Sequence, residues 1–165
     1  MKIRVALVVL IFTSVFGMGQ KSEKIKVNEV IDAWHKAASE ANFDAYFGLM
    51  TKNGAFIGTD ATENWQTQEF KDFSKPYFDK GSAWSFTSLE RNVYLNENAS
   101  FAWFDELLDT QMKLCRGSGV LEKVDGNWKI AHYVLSIAVP NKNVKELIEI
   151  KKVSDSLLIE KMSTN

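Results

Sequence analysis

The chain has a single cysteine among its 165 residues and only two histidines. Cys115 cannot form an internal disulfide, so the fold must depend on its core, which a hydrophobic content of 45% can supply. Because Cys115 lies in a strand pattern, we expect a buried small side chain there and not a nucleophile. One thiol and two imidazoles give no metal-ligand spacing, and we expect neither a metal nor another cofactor.

The chain also has no excess of basic charge, since it contains 20 Lys and Arg residues and 21 Asp and Glu residues. A mildly acidic chain with mixed charges argues against nucleic-acid binding, which favours a basic face. The glycine-rich segment 116–119 lies in a strand pattern with no Lys-Ser or Lys-Thr after it, which excludes a phosphate-binding loop. Its glycines predict a bulge or the close approach of a helix. No serine stands in a nucleophile-elbow context.

The N-terminal segment has the pattern of a secretory signal peptide. Lys2 and Arg4 precede the apolar run 5–16, and glycines follow at positions 17 and 19. The run is shorter than the roughly 20 residues that span a bilayer. We therefore predict cleavage after residue 19, export to the periplasm or the medium, and no stable membrane span in the mature chain. The alternative is a short membrane anchor that is never cut.

Helical periodicity dominates the chain up to residue 81. A first helix is predicted from Ser22 by apolar residues at three-and-four spacing: Val27, Val30, Ile31, Trp34, Ala37, Ala38 and Ala41. His35 is expected off this stripe, in solvent. Asn42 is predicted to cap a short helix over 43–50. Thr67 is expected to cap a third helix, which Pro76 kinks or ends.

The sequence pattern of the rest of the domain predicts a β-sheet. A short strand is predicted at 55–57, and long strands at 84–95, 100–109, 112–123 and 128–139, the last pair joined by a strong hairpin signal at Asp125-Gly126. Helices followed by hairpin-linked strands indicate an α+β fold. Such long antiparallel strands curve, and a curved sheet wrapped around helices encloses a cavity. Asn143 is expected to cap an additional C-terminal helix that packs through its first turns.

Ionisable residues on apolar strand faces mark the candidate site. Asp105 or Glu106, Arg116 and His132 are each expected among apolar neighbours, with Arg116 and His132 facing inward. We favour Asp105 for the carboxylate, because its face carries Phe101 and Trp103. In a pocket, Asp105 and His132 could shuttle protons while Arg116 holds an anion. The alternative is a structural ion pair between Arg116 and either carboxylate.

The loop 58–65 adds further candidates. Asp60, Glu63 and Trp65 could form the rim of a pocket, or could close a tight loop through side chain to backbone bonds while Trp65 covers the core. Tyr46 and Tyr77 lie on the predicted helices and are candidate pocket residues with Asp105.

Several of these motifs, in this order, resemble the SnoaL-like branch of the nuclear transport factor 2-like superfamily over residues 24–139. They are Phe56-x-Gly58-Thr59-Asp60-x-x-Glu63-x-Trp65, then Ala102-Trp103-Phe104-Asp105-Glu106, Arg116-Gly117-Ser118-Gly119-Val120-Leu121 and Gly126-x-Trp128-Lys129-Ile130-x-His132. The resemblance implies a cystatin-like cone, in which a strongly curved antiparallel sheet wraps the N-terminal helices around a pocket. It also implies frequent dimerisation through the outer face of the sheet.

The chain is thus divided into a signal peptide (1–19), a SnoaL-like α+β barrel domain (20–142) and a C-terminal helix (143–165). We expect an exported small-molecule-binding domain that forms a homodimer, with ligand contacts from the residues named above: Arg116, Asp105, His132, Trp103, Tyr77, Asp60, Trp65 and Tyr46. One alternative is a lyase, isomerase or hydrolase acting on a small apolar carbonyl compound through Asp105 and His132. The other is a non-catalytic dimerisation or assembly module. No family catalytic role transfers position by position.

Cleavage after residue 19 leaves 146 of the 165 residues. We expect the chain recovered from the exported fraction of a bacterial host to have the intact mass of a chain that begins at Gln20. Leu10→Arg interrupts the apolar run and is expected to block both export and cleavage. A full-length chain in the membrane fraction would support the uncleaved anchor instead.

Overall fold

The computed structural model describes the backbone of residues 2–81 and 83–164, and the side chains of residues 19–81 and 83–164. The helices of this part are α1 (Lys2–Ser39), α2 (Phe43–Gly48), α3 (Thr67–Asp79) and α4 (Val144–Ser163). The strands are β1 (Met50–Ile57), β2 (Asn64–Gln66), β3 (Phe86–Leu95), β4 (Phe101–Thr110), β5 (Lys113–Val124) and β6 (Asn127–Ile137). The expected α+β class, with N-terminal helices and an added C-terminal helix, is confirmed.

The six strands form one sheet in the order β2-β1-β6-β5-β4-β3. Consecutive strands from β3 to β6 pair antiparallel, as the hairpin signals predict. The pairing of β1 with β6 is parallel, so the sheet is mixed and not purely antiparallel. The hairpin signals do not fix this pairing, because β1 and β6 lie far apart in the chain and are joined by a long connection.

The inner face of the sheet packs on α1. On α1 the predicted apolar stripe is buried, with Val27, Ile31 and Trp34 fully enclosed. Aromatic stacking continues this core, since Trp34 lies 4.8 Å from Tyr46 and 4.9 Å from Tyr133 between ring centroids. Burial of such large side chains supplies most of the stabilising free energy that disulfides do not provide here.

The helix ends only partly follow the sequence signals. Asn42 caps α2 as predicted, since its side chain accepts a hydrogen bond from the Ala45 amide at 3.1 Å. Thr67 was expected to cap α3, but the cap residue is Gln66. The Thr67 hydroxyl instead donates to the carbonyls of Thr51 and Gly54, which ties α3 to β1. Pro76 lies inside α3 and does not end it.

Glu23 joins α1 to the far end of the sheet. Its carboxylate accepts hydrogen bonds from Lys123 at 2.7 Å, the Trp128 indole at 2.8 Å and Lys26 at 2.9 Å. Led by the bond from Lys123, these donors lower the pKa of Glu23 to about 2. Glu23 lies after the predicted cleavage position, so a chain beginning at residue 20 keeps this contact.

The side chains of the predicted signal peptide, apart from residue 19, lie outside the described residues. No helix in the described part of the chain has the length and apolar character needed to cross a membrane.

Helix α4 differs from its expected packing. None of its residues is buried, although its first turns were expected to pack on the domain. Asn143 occupies the cap position, but its side chain makes no capping hydrogen bond.

Candidate functional site

A buried carboxylate lies at the centre of the inner sheet face. On β4 the residues that alternate inward are Ala102, Phe104, Glu106, Leu108 and Thr110. Glu106 is 1% exposed and therefore needs partners, because an unpaired buried charge is strongly destabilising.

Three side chains donate to the Glu106 carboxylate. Arg91, its direct neighbour on β3, donates from Nε to Oε2 at 2.9 Å. The Tyr133 hydroxyl and His35 Nε2 donate to Oε1 at 3.0 and 2.8 Å. Nε2 is the protonated ring nitrogen here, because the carboxylate only accepts. We call Glu106, His35, Arg91 and Tyr133 the Glu106 network.

Arg91 extends this network to the surface of α1. Its Nη1 group donates to Asp32 Oδ1 at 2.7 Å and to Asn28 Oδ1 at 3.3 Å. The network therefore fastens α1 to β3, β4 and β6 through charge-assisted hydrogen bonds, which are stronger than neutral ones.

The network keeps Glu106 ionised. Burial raises the pKa of this carboxyl, but the hydrogen bond and charge of His35, followed by those of Arg91, outweigh burial and hold it below its usual 4.5. The pKa of Tyr133 is raised well above its usual value by burial and by the Glu106 charge. Tyr133 is therefore a neutral donor.

Gly117 makes room for this arrangement. It lies opposite Glu106 on β5, and a Cβ atom there would overlap the Tyr133 hydroxyl and lie 3.0 Å from Glu106 Cγ. The glycines of segment 116–119 were expected to allow a bulge or the approach of a helix. The close neighbours are instead groups of the adjacent strands: side chains at Gly117, and the His132 carbonyl and the Phe104 ring at Gly119.

A separate cavity of about 290 Å³ opens between α3, the 58–65 loop and the start of β3. Half of its fourteen lining residues are aromatic: Phe56, Trp65, Phe70, Phe73, Tyr77, Trp84 and Phe86. Gly58, Thr59, Glu63, Ala83, Gln111, Met112 and Leu135 complete the lining. We call this space the aromatic cavity.

The rings of the aromatic cavity lie largely parallel. Trp65 stacks on Phe73 with centroids 4.3 Å apart, and Phe56 stacks on Phe70 at 4.1 Å. Phe73 and Tyr77 are 41% and 46% exposed, so the α3 side of the cavity reaches solvent. These stacked rings are in contact with one another and present an apolar wall to the cavity.

The Asp60 carboxylate and one oxygen of the Glu63 carboxylate accept hydrogen bonds within the 58–65 loop. Asp60 accepts two hydrogen bonds from Thr62, whose hydroxyl and then amide lower the pKa of the carboxyl. Glu63 accepts from the Asp60 amide at 3.1 Å and covers Gly58, where a Cβ atom would overlap its carboxylate. Asp60 does not line the aromatic cavity, whereas Glu63 does.

Two predicted pocket residues, Trp65 and Tyr77, line the aromatic cavity. Tyr46 is fully buried behind it, where burial raises the pKa of its hydroxyl well above the usual value. The nearby Trp84 indole opposes this shift, but the two groups lack hydrogen-bond geometry, and neither polar atom has a partner in the described part of the chain. That these residues contact a ligand stays a prediction.

Four other predicted pocket residues, Trp103, Asp105, Arg116 and His132, lie on the outward face of the sheet. Glu106, and not Asp105, points inward, because the buried set of β4 is the one that contains Phe104 and Leu108. Arg116 is exposed, since β5 turns Cys115, Gly117 and Gly119 toward the core. The orientation predicted for all of these charged residues is therefore wrong.

His132 faces outward because of a bulge in β6. Val120 pairs with His132 and Leu121 with Ile130, which leaves Ala131 as an extra residue. Trp128 and Ile130 are buried before the bulge, and Tyr133 and Leu135 after it. The two-residue alternation that placed His132 with Ile130 is broken at this point.

His35 was expected in solvent but is only 5% exposed. The sequence spacing could have predicted this burial. His35 follows Ile31 by four residues and precedes Ala38 by three, which places it on the apolar stripe. Glu106 offered a similar signal between Phe104 and Leu108. No sequence pattern indicated the role of Arg91, since its partner Glu106 lies on the next strand.

A family model described as the SnoaL-like domain matches residues 27–140. The chain belongs to this family. The resemblance drawn from the sequence motifs is thereby confirmed, and α4 lies beyond the matched residues of the SnoaL-like domain. No curated protein sequence matches the chain.

Solved structures share the fold of this SnoaL-like domain. A candidate dehydratase of the NTF2-like family from Streptomyces avermitilis has a TM-score of 0.64 at 11% identity, covering 73% of this chain and 99% of that one. An NTF2-like protein of unknown function from Pseudomonas putida has a TM-score of 0.63 at 9% identity, covering 74% and 92%. The association domain of C. elegans CaMKII has a TM-score of 0.59 at 22% identity, covering 72% and 98%. At these identities the similarity shows the fold alone.

The Glu106 network makes stability sensitive to acid. Because folding lowers the pKa of Glu106 below 4.5, its contribution is complete above that pH and is lost as the pH falls through the folded-state value. Glu106→Gln is expected to cost about 3 to 5 kcal/mol at pH 7, since it leaves Arg91 without its buried partner. Urea unfolding between pH 3 and 7 measures both effects.

Asp105→Asn is the matched control, because it removes one carboxylate charge from the adjacent, outward-facing position. We expect it to change the unfolding free energy by about 1 kcal/mol or less. The difference between wild type and Glu106→Gln is expected to shrink as the pH falls below 4.5. An equal cost for both variants at pH 7 would contradict a stabilising network centred on Glu106.

Proposed function

We propose that the chain is a binding domain for a small, flat, mainly apolar molecule held in the aromatic cavity. The observation that carries the proposal is the wall of stacked rings around a space of about 290 Å³. Ligand pockets in proteins have volumes from about 300 Å³ upward and are mostly apolar with a few polar groups. Thr59, Glu63 and Gln111 would supply those polar groups at the rim.

Binding is favoured over catalysis because the buried ionisable residues of the Glu106 network are kept apart from the aromatic cavity. None of the four residues of the Glu106 network lines it. Each donor in the network is directed at Glu106, which is the arrangement of a structural ion pair. The acid-base pair suggested for an enzyme, Asp105 with His132, lies on the other face of the sheet.

Export of this domain is a further part of the proposal. It is supported by the N-terminal charge and apolar pattern, and by a family match that begins only at residue 27. The mass measurement on the exported fraction tests it.

Titration calorimetry with 2-naphthol, a flat bicyclic probe with one hydroxyl, tests the aromatic cavity. We expect saturable binding that Phe73→Ala weakens about tenfold, because it removes a stacking face and apolar contact area. Phe101→Ala is the matched control, since Phe101 is 46% exposed and Phe73 is 41% exposed. Binding that is absent, or that both variants weaken equally, would contradict the proposal.

We propose in addition that the outward sheet face forms a homodimer. Tyr94 and Trp103 stack on that face with centroids 5.8 Å apart and are 43% and 48% exposed. The register continues this row through Val120 to His132 across four strands. A surface with an aromatic row beside Asp105 and Arg116 can pair with its own copy, because a two-fold interface must be self-complementary.

Sedimentation equilibrium tests the outward-face homodimer. Trp103→Glu is expected to weaken it at least about tenfold, since a charge is placed in an apolar contact. Tyr77→Glu is the control, an exposed aromatic on α3 away from that face. Equal dimerisation of wild type and Trp103→Glu would rule out this interface.

A further inference from the structure

Helix α4 carries a stripe of four apolar residues and two central charged residues that its own domain leaves uncovered. The stripe is formed by residues that recur at alternating spacings of four and three: Val144, Ile148, Lys151, Asp155, Leu158 and Met162. This is the core spacing of a helix that pairs with another helix. No residue of α4 is buried, and Ile148 and Met162 are 55% and 68% exposed.

The stripe is symmetric about residue 153. Val144 and Met162 lie nine positions from this centre, Ile148 and Leu158 lie five, and Lys151 and Asp155 lie two. Each apolar residue therefore has an apolar counterpart, and the basic residue has an acidic one. Leu147 and Ile159, which flank the stripe, are also symmetric, at six positions from the centre.

From this symmetry we infer that α4 pairs antiparallel with α4 of a second copy of the chain, around a two-fold axis at residue 153. In such a pair, residue i contacts residue j and residue j contacts residue i. Val144 then meets Met162 of the partner subunit, and Ile148 meets Leu158 of the partner subunit. Lys151 meets Asp155 of the partner subunit, and the reverse contact completes the pair.

The charges select the antiparallel orientation. In a parallel pair, each Lys151 would face its own copy and each Asp155 would do the same, which places like charges in the centre of the contact. In the antiparallel pair, opposite charges meet twice. Within one chain Lys151 and Asp155 already form a 3.0 Å ion pair, and both side chains remain about half exposed and open to a second partner.

This contact is additional to the homodimer proposed for the outward sheet face. It uses residues beyond the SnoaL-like match, which ends at residue 140. Two helices of this length bury a modest area, so the pairing is expected to depend on chain concentration. The two contacts are tested separately, because the α4 variants leave the sheet unchanged.

Disulfide cross-linking of the full chain tests the pairing and its direction. One chain carries Ile148→Cys and the other carries Leu158→Cys, and the native Cys115 is buried. We expect the mixture to form an intermolecular disulfide rapidly and each variant alone to form little. A parallel pair would give the opposite result, since each cysteine would then face its own copy.

Charge variants test the register. Asp155→Lys in both chains places lysines opposite each other and is expected to slow cross-linking at least about tenfold. Combining Asp155→Lys in the first chain with Lys151→Asp in the second restores opposite charges and is expected to restore the rate. Glu149→Lys makes the same change of charge off the stripe, where Glu149 pairs with Lys152, and is expected to leave the rate unchanged.

Circular dichroism of each variant verifies that α4 is still helical. The inference is overturned if the mixed cysteines do not cross-link faster than either alone. It is equally overturned if Asp155→Lys and Glu149→Lys have the same effect, or if the complementary pair of charge variants does not recover. If Trp103→Glu abolishes the sheet-face homodimer while the α4 cysteine variants still cross-link at the same rate, the α4 pairing is supported as a separate contact.

Discussion

The Glu106 carboxylate is the group on which the described fold depends. A single buried negative charge on the inner face of β4 has to be compensated, and the compensation comes from α1, β3 and β6 at once. This requirement fixes the position of α1 against the sheet more specifically than apolar contact does, because hydrogen bonds to a carboxylate are directional. Gly117 is constrained by the same network, since any side chain there would occupy the place of the Tyr133 hydroxyl.

Phe86 marks the boundary between the Glu106 network and the aromatic cavity. Its ring packs edge-on against His35 at 5.5 Å and also lines the aromatic cavity. The Glu106 carboxylate on one side is satisfied by its donors, and the rings on the other side face open space. Such a separation suits a rigid scaffold that binds an apolar molecule, because the charges that hold the domain together need not rearrange when a ligand enters.

Two further groups of exposed apolar side chains lie on the outward sheet face and on α4. Both carry a pattern that matches its own copy: a register-aligned aromatic row beside opposite charges on the sheet, and a symmetric stripe on the helix. Exposed apolar groups arranged in this way indicate association, whereas scattered ones are ordinary for a protein surface. The aromatic cavity is thus separate from these two exposed faces, one on the sheet of the SnoaL-like domain and one on α4.

Local pattern in the sequence was enough for the helices and for the strands other than β2, for the family and for the apolar stripe of α1, because these depend on residues close together in the chain. Strand β2 was expected as part of a loop, and it forms by pairing with β1. Local pattern also predicted that Asp105, Arg116 and His132 share one face of the sheet. Which face was buried depended on distant contacts. The bulge at Ala131, the space that Gly117 gives to Tyr133, and the pairing of Glu106 with Arg91 and His35 all arise between strands and helix. Only the tertiary structure could decide them, because burying a charge is favourable only where its partners converge.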